Sequence, residues 1–181
     1  MWGLNNMING KKTTLQSVKE HNIEQLRNWR NNPDLRKYFR EYREISRPMQ
    51  AAWFNKINND NNQVNFEIHD KESDKIIGHC GLYYISWVHR HAEFGIYIGD
   101  FNFRNGGYGS DALRTLVKYG FEDLNLNKIW CEVYTNNSAL GVYERLGFVR
   151  EGTLRQSYFN EGKYWDSNVL SLLRSEYEQQ K

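Results

Sequence analysis

Residues 95–121 read GIYIGDFNFRNGGYGSDALRTLVKYGF, and this stretch decides the fold of the chain. Its start completes an alternating segment, His91 to Ile98, whose period of two predicts a strand. Its end carries apolar residues in pairs every four positions, which predicts a helix packed on a sheet. These residues are Ala112, Leu113, Leu116, Val117, Gly120 and Phe121. A strand therefore leads through a glycine-rich turn into the strongest helix of the chain.

The glycine-rich turn predicts a phosphate-binding site. A helix start leaves backbone N–H groups unpaired and carries partial positive charge, and glycines let a phosphate approach the backbone closely. The turn lacks both the three-glycine pattern of a dinucleotide fold and the Lys-Ser/Thr pair of a P-loop. A tight turn that only ends the strand is the structural alternative. Arg104 at the head of the turn favours the phosphate site.

The rest of the chain alternates between the periods of strands and helices. Further strands are predicted at 13–18, 64–68, 76–86, 129–134, 148–155 and 164–173. Further helices are predicted after Asn22, after Ser46 and at 139–146, and Asn22 with Gln25 has the spacing of a capping box. Strands followed by helix, strand, helix and strands predict a mixed α/β sheet.

Length and composition limit the classes of protein. The 181 residues fit one domain, 1–181, of which we expect 1–12 to be flexible. A net charge of only +2, with the two signs interspersed, argues against nucleic-acid binding. Cys80 and Cys131 lie in apolar runs, as buried thiols of a cytoplasmic protein do. No stretch approaches the roughly 20 apolar residues of a membrane span, and we expect no membrane association.

Two motifs resemble the GNAT superfamily of N-acetyltransferases. Arg104, Gly107 and Gly109 match its Arg/Gln-x-x-Gly-x-Gly/Ala signature, which holds the pyrophosphate of coenzyme A through main-chain N–H groups. A second block of that family is matched by Asn137, Ala139, Tyr143, Gly147 and Phe148. Residues that look like the Rim-type branch, which acetylates ribosomal-protein N-termini and other amines, are Glu93, Gly95, Glu151, Gly152, Arg155, Tyr164 and Asp166.

The resemblance implies a fold, a co-substrate and a reaction. The fold is α/β (α+β): a mixed, mostly antiparallel sheet of six to seven strands with about four helices. The reaction moves acetyl from acetyl-CoA to a primary amine by direct attack in a ternary complex, without a metal. The implied contacts with acetyl-CoA are Phe94, Ile96, Ile98, Arg104, Asn105, Gly106, Gly107, Tyr108, Gly109, Ser110, Asn137 and Tyr143.

Glu93 and Tyr143 are the candidate catalytic residues. An amine with a pKa of about 10.4 is almost wholly protonated near neutrality and must lose a proton before it attacks a thioester. Glu93, just before the phosphate turn, is the candidate base, and a salt-bridged Glu is the structural alternative. By the resemblance, Tyr143 donates a proton to the leaving thiolate, since a phenol stays protonated up to a pKa of about 10. Its place on an apolar helix stripe also fits core packing.

The acceptor is predicted to bind between the first helices, where the chain is basic. Arg36, Lys37, Arg40, Arg43 and Arg47 outnumber Asp34, Glu41 and Glu44 there. Such a segment would repel a polyamine and favours an anionic acceptor such as a nucleotide-linked amino sugar, with a protein N-terminus as second choice. A further set of residues resembles acetyltransferases of the pseudaminic-acid pathway: Trp29, Arg30, Asn31, Pro33, Arg36, Trp53 and Phe54. The candidate acceptor contacts are Trp29, Arg30, Asn31 and Tyr83.

The sequence leaves one alternative function open beside the enzyme. A non-catalytic CoA-binding regulatory module would keep the phosphate turn without acetyl transfer, but the presence of both Glu93 and Tyr143 argues against it. A monomer or homodimer is expected. The histidines and cysteines have no spacing typical of a metal site, so no metal is predicted.

Overall fold

The structure, a computed structural model, describes residues 8–180 and forms one eight-stranded sheet with helices on its faces. The strands are β1 (Ile8–Asn9), β2 (Thr13–Ser17), β3 (Val64–Asp70), β4 (Ile76–Ser86), β5 (His91–Ile98), β6 (Lys128–Tyr134), β7 (Val149–Asn160) and β8 (Lys163–Leu173). The helices are α1 (Ile23–Asn31), α2 (Pro33–Arg36), α3 (Arg47–Ile57), α4 (Tyr108–Glu122), α5 (Leu140–Arg145) and α6 (Arg174–Gln179), with short 3-10 turns at Glu20–Asn22 and Phe101–Phe103.

The sheet is mixed and mostly antiparallel. Its strand order is β1-β2-β3-β4-β5-β6-β8-β7, and β5 with β6 is the parallel pair among antiparallel neighbours. The predicted fold class is confirmed. The described chain has one strand more than the upper end of the prediction, because the two-residue β1 adds to the edge beside β2.

The main core lies between α4 and one face of the sheet. The paired apolar residues of α4 are buried against the sheet, as the period of the sequence predicted. Leu116 and Phe121 are fully buried and belong to the same cluster as Leu82 and Ile129 of the sheet. Helix α6 closes one end of this layer, with the ring of Tyr177 stacked on Phe121 at 5.0 Å. This core fixes α4, and with it the turn that precedes α4.

Helices α1 to α3 cover the opposite face, and local capping explains where they begin. Ser46 accepts a hydrogen bond from the N–H of Met49 and begins α3, as predicted. Asn32 accepts one from Asp34, so that Pro33 starts the separate helix α2, which the sequence had not indicated. The predicted capping box at Asn22 is wrong. Its side chain makes no cap and instead donates to the buried carboxylate of Glu67 on β3.

The segment before β2 is bonded to the sheet and to helix α4. Ile8 and Asn9 pair with β2, and the backbone N–H groups of Lys11, Lys12 and Thr13 all donate to the carboxylate of Asp111 at 2.8 to 2.9 Å. Asp111 lies in the first turn of α4, so these bonds tie the start of the chain to the glycine-rich turn. The flexibility expected for residues 1–12 stays a prediction, and residues 1–7 lie outside the described part.

Candidate active site

A cleft opens in the sheet where β5 and β6 separate. Their parallel pairing runs from His91 beside Lys128 to Glu93 beside Trp130, and the two strands pair no further. The cleft that begins there has a volume of about 1290 Å³ and continues to the glycine-rich turn before α4. Strand alternation divides the lining: Phe94, Ile96 and Ile98 face the α4 core, whereas Glu93 and Tyr97 face α1 to α3.

The glycine-rich turn has the geometry of a phosphate cradle. Gly107 adopts φ +82°, which favours glycine, and precedes the first residue of the 15-residue helix α4. A Cβ at Gly107 would meet only the Nζ of Lys12, at 4.0 Å, so the space beside this backbone is open. The unpaired N–H groups of the helix start and the helix dipole favour an anion in that space.

Arg104 brings an uncommitted cation to the same turn. Its Nε donates to the carbonyl of Ile98 at 3.1 Å, and its guanidinium lies over the ring of Phe101 at 3.7 Å. Its Nη2 is buried and has no hydrogen-bond partner. Burial lowers the pKa of Arg104, but the group remains a cation because the ordinary pKa of an arginine lies far above neutrality. A buried, unpaired N–H beside the helix start fits a pyrophosphate oxygen.

Lys12 is a contact that sequence reasoning missed. Its Nζ donates to the carbonyl of Gly106 at 2.8 Å, which puts a second cation next to the glycine-rich turn. The two residues are 94 positions apart, and only the hydrogen bonds of Asp111 to residues 11–13 bring them together. No local motif could have indicated this neighbour.

The structure brings most of the predicted acetyl-CoA contacts into one cleft. The residues that line it are Phe94, Ile96, Ile98, Arg104, Asn105, Gly107, Gly109, Ser110, Asn137 and Tyr143. Gly106 and Tyr108, also predicted as contacts, do not belong to the lining of this cleft. The carbonyl of Gly106 is taken by Lys12, and the ring of Tyr108 packs edge-on against Phe103 at 5.1 Å.

Tyr143 projects from α5 into the middle of the cleft. Its ring packs edge-to-face on Phe94 at 5.1 Å, and its phenol makes no hydrogen bond with the described residues. Burial raises the pKa of Tyr143 above its usual value, with a smaller contribution from Cys131. The phenol is therefore neutral and able to donate a proton throughout the physiological range. Both the packing and the proton-donor interpretations are compatible with this position.

Asn137 has one group engaged and one available. Its Oδ1 accepts from the N–H of Ala139 at 2.9 Å and so stabilises the turn that leads into α5. Its Nδ2 makes no hydrogen bond with the described residues, and Asn137 lines the cavity. The capping role and a contact with the pantetheine arm are therefore compatible.

Glu93 lies at the point of separation and is paired with an arginine from the loop 37–46. Arg40 donates to both carboxylate oxygens of Glu93, at 2.6 and 3.0 Å, and to Glu132 on β6 at 2.9 Å. The side chain of Glu93 is 8% exposed, that of Glu132 17% and that of Arg40 48%. Burial opposes the charge on Arg40, but the two carboxylates outweigh it and raise the pKa of the guanidinium. The two acids thus form a cation site.

Beyond Glu93 the cleft continues over the α1–α3 face as an aromatic arm. The ring of Tyr83 lies along the sheet over Gly95, where an added Cβ would meet it at 2.9 Å. His79 stacks on Tyr97 at 5.7 Å, and burial lowers the pKa of His79 to about 3, so that it stays neutral. The Nε2 of His79 is buried without a hydrogen-bond partner. Arg30 lines this arm with its guanidinium over Phe39 at 5.4 Å.

Two of the four predicted acceptor contacts do not reach the cleft. Trp29 packs against the backbone at Gly99, where an added Cβ would lie 2.0 Å from its ring. Asn31 is engaged with the backbone of Ile45, accepting from its N–H at 2.8 Å and donating to its carbonyl at 2.9 Å. Both side chains thus hold the fold. Arg30 and Tyr83 do line the cleft.

The basic character predicted for the segment between the helices is largely cancelled by pairing. Arg40 binds Glu93 and Glu132, and Arg43 binds Glu41 at 2.7 Å. Hydrogen bonds from Arg43 lower the pKa of Glu41 to about 2, so this acid remains charged. A count of charges in the sequence could not show these pairs, and the argument that a polyamine is repelled loses its basis.

Residues 8–180 contain neither a group of residues that could hold a metal ion nor a helix that could span a membrane. No group of three or more His, Cys, Asp or Glu residues there could hold a metal ion. None of the helices in that range has the length and apolar character needed to cross a bilayer.

Comparison with known proteins identifies relatives of the whole fold. Residues 12–149 match the family described as the acetyltransferase (GNAT) domain. A spermidine N(1)-acetyltransferase of Vibrio cholerae is 31% identical over 165 residues, which cover 91% of this chain and 94% of that protein. A putative ribosomal N-acetyltransferase of Bacillus subtilis, YdaF, is 35% identical over 107 residues, or 59% of this chain and 58% of that protein.

Solved structures show the same similarity. A crystal structure of the Vibrio cholerae spermidine N-acetyltransferase in complex with CoA and spermine superposes with a TM-score of 0.86 at 31% identity, covering 92% of this chain and 98% of that one. A further structure of that enzyme, described as dodecameric, has a TM-score of 0.81 at 28% identity and covers 94% and 98% of the two chains.

Proposed function

The chain belongs to the GNAT family and is an acetyl-CoA-dependent N-acetyltransferase, and on that premise we propose that its acceptor is a small polycationic amine of the polyamine class. The observation that carries the proposal is the pair of acids, Glu93 and Glu132, beside the opening between β5 and β6. Two carboxylates that already bind one guanidinium form a site that an ammonium group can occupy. The similarity to polyamine acetyltransferases supports the same acceptor class.

The co-substrate fits the residues of the turn and of the separating strands. Its pyrophosphate would be held by the N–H groups at the start of α4 and by Arg104, whose Nη2 is buried without a partner. Beyond Glu93, the unpaired backbone of β5 faces the cleft and can bind an extended pantetheine arm as an added strand. Acetyl-CoA supplies the activated acyl group. The chain then has to position the amine and manage two protons.

Glu93 and Tyr143 are proposed to handle these protons. Glu93 receives the proton of the acceptor ammonium, directly or through a water, because it lies at the junction of the arm and the strand opening. Tyr143, kept protonated by burial, donates to the departing thiolate. Positioning the amine against the thioester supplies a further share of the rate enhancement.

Direct attack by the amine is favoured over a covalent acetyl-enzyme. Cys131 is the cysteine in the described part of the cleft lining. It is 3% exposed, and burial raises the pKa of its thiol well above the usual range, so very little nucleophilic thiolate is present near neutrality. This supports a ternary complex of acetyl-CoA, amine and protein.

An anionic amine, such as a nucleotide-linked amino sugar, is the second candidate acceptor. The observation that favours it is Arg30, a cation in the acceptor arm that forms no ion pair with any acid in the described chain. The buried, unpartnered Nε2 of His79 and Oε1 of Gln50 add hydrogen-bonding groups nearby. A phosphate or carboxylate attached to the amine would find these groups at the far end of the arm.

A thiol-release assay against a panel of amines tests the proposal. Spermidine, spermine, an N-terminal ribosomal peptide and a nucleotide amino sugar are compared at fixed acetyl-CoA, with Glu132→Gln as a variant that keeps the fold of β6. Saturable turnover with the polyamines, weakened by Glu132→Gln and by added salt, is expected. Turnover with the amino sugar alone or the peptide alone would show that the proposed polyamine acceptor is wrong. Turnover with the peptide would also favour the Rim-type interpretation.

Self-association through β7 is proposed alongside the activity. This 12-residue edge strand is exposed along almost its whole length, with large apolar side chains at Val149, Leu154 and Phe159. A long, unpaired apolar edge is a template for association with a second copy. The related dodecameric structure supports an assembly larger than the expected monomer or homodimer. Light scattering of wild type and Leu154→Lys measures this directly, and a monomeric wild type would refute it.

A further inference from the structure

The cation site of Glu93 and Glu132 is occupied by the protein itself. Arg40 makes three hydrogen bonds to the two carboxylates, one of which, to Glu93, measures 2.6 Å. Glu93 accepts from the guanidinium at both oxygens, the geometry that stabilises a carboxylate most strongly. The acceptor ammonium and Arg40 therefore need the same two acids.

The segment that carries Arg40 is held at its two ends and at Phe39, whose ring contacts Tyr97 at 5.2 Å, whereas residues 42–44 are exposed. At one end the hydroxyl of Tyr158 donates to the carbonyl of Lys37 at 2.5 Å, and at the other Asn31 holds the backbone of Ile45. The residues between them form neither helix nor strand, and Tyr42 is 81% exposed. A swing of the middle of this loop would move Arg40 without disturbing the sheet.

When Arg40 leaves, another cation has to take its place beside Glu93 and Glu132. Glu93 and Glu132 lie on adjacent strands, and two nearly buried carboxylates without a cation would repel each other. Ser167 donates to Glu132 but brings no charge. An ammonium that enters as the guanidinium leaves keeps the pair neutralised at every stage. A neutral or anionic ligand would leave the two acids uncompensated.

We propose that Arg40 is a built-in competitor of the acceptor amine, a specificity-determining residue that closes the acceptor site until a cationic amine displaces it from Glu93 and Glu132. This inference rests on the proposed cationic acceptor. It makes two demands on a substrate: enough positive charge to replace a guanidinium, and a primary amine that then lies beside Glu93. Displacement also frees Glu93 to accept the proton that the amine must lose.

The expected effect follows from competition between two occupants. When the competent state is only a fraction of the population, the apparent dissociation constant is raised by the inverse of that fraction. If Arg40 occupies the site in about ten molecules of every eleven, its removal lowers the apparent KM for spermine about tenfold.

Arg40→Gln and Arg43→Gln form the matched pair for the experiment. Arg43 lies in the same loop and is 61% exposed on its side chain, but it pairs with Glu41 and leaves Glu93 and Glu132 untouched. Calorimetry of spermine binding to CoA-loaded protein, KM and kcat are measured for both and for wild type. Arg40→Gln should bind spermine about tenfold more tightly and lower the KM for spermine by the same factor, whereas Arg43→Gln should change neither. Equal or weaker binding by Arg40→Gln would overturn the inference.

Folding and the identity of the acceptor are separated by two further measurements. The double variant Arg40→Gln/Glu132→Gln restores the charge balance if the single variant melts early, and it must still bind spermine more tightly than Glu132→Gln alone. If wild type and variant alike fail to acetylate any polyamine, the proposed acceptor is wrong. The KM is then measured with the amine that the panel identifies, and a KM that Arg40→Gln does not lower would refute the competitor role on its own.

Discussion

Replacement of Tyr143 by phenylalanine tests the proposed proton donor with little structural disturbance. The ring keeps its edge-to-face contact with Phe94, and the lost hydroxyl has no hydrogen-bond partner among residues 8–180 that would be left unsatisfied. We therefore expect a change in the free energy of unfolding within about 0.5 kcal/mol. General-acid assistance contributes roughly 100- to 10,000-fold, so kcat should fall by that factor, about 3 to 5 kcal/mol in activation free energy.

The assay follows thiol release from acetyl-CoA, with acetyl-CoA affinity measured separately by calorimetry. Tyr108→Phe is the matched control, because Tyr108 begins α4 beside the phosphate turn but lies outside the cleft lining. It should leave kcat within about threefold of wild type. If Tyr143→Phe also retains kcat within about threefold while binding acetyl-CoA normally, Tyr143 is a packing residue and the departing thiolate takes its proton elsewhere.

Three further predictions concern the turn, the cysteine and a buried histidine. Gly107→Ala should weaken acetyl-CoA binding about tenfold in calorimetry, because φ +82° costs alanine about 1 to 2 kcal/mol and its methyl group enters the phosphate space; an unchanged affinity would move the phosphate site. Cys131→Ala should keep kcat within about threefold, and loss of all turnover would favour an acetyl-enzyme. Burial opposes protonation of His69, but hydrogen bonds to Glu67 and the Asp74 carbonyl outweigh it and raise its pKa. The stabilisation by His69 is thus complete below the unfolded pKa of about 6.5 and is lost as pH rises through the folded pKa. Urea unfolding of wild type and His69→Gln from pH 5 to 9 measures this loss. The free energy of unfolding should fall with pH in wild type, and this slope should be absent from the variant.

Local patterns were sufficient for the nucleotide end of the site. The phosphate turn, α4 and Tyr143 lie within short stretches whose periodicity and glycine content report directly on backbone geometry. The mixed, mostly antiparallel sheet follows from the same periods and from the resemblance to a known family. The predicted capping box at Asn22 failed because of a long-range contact. The side chain of Asn22 donates a hydrogen bond to Glu67 instead of capping its own helix.

The acceptor end could not be derived in the same way because its chemistry depends on contacts between distant residues. Arg40 and Glu93 are 53 positions apart, and Lys12 and Gly106 are 94 apart. A count of basic residues therefore mistook paired arginines for a free positive field. Trp29 and Asn31 do not line the cleft for a related reason. Their side chains contact Gly99 and Ile45 and so stabilise the helix layer.

The most direct measurement of the central claim is mass spectrometry of the products after wild-type protein is mixed with acetyl-CoA and spermidine. We expect a mono-acetylated polyamine formed in step with free CoA, with no acetyl group on the protein. Normal binding of acetyl-CoA with no acetylated polyamine, at any pH or amine concentration, would contradict the claim that the acids beside the cleft receive a cationic acceptor.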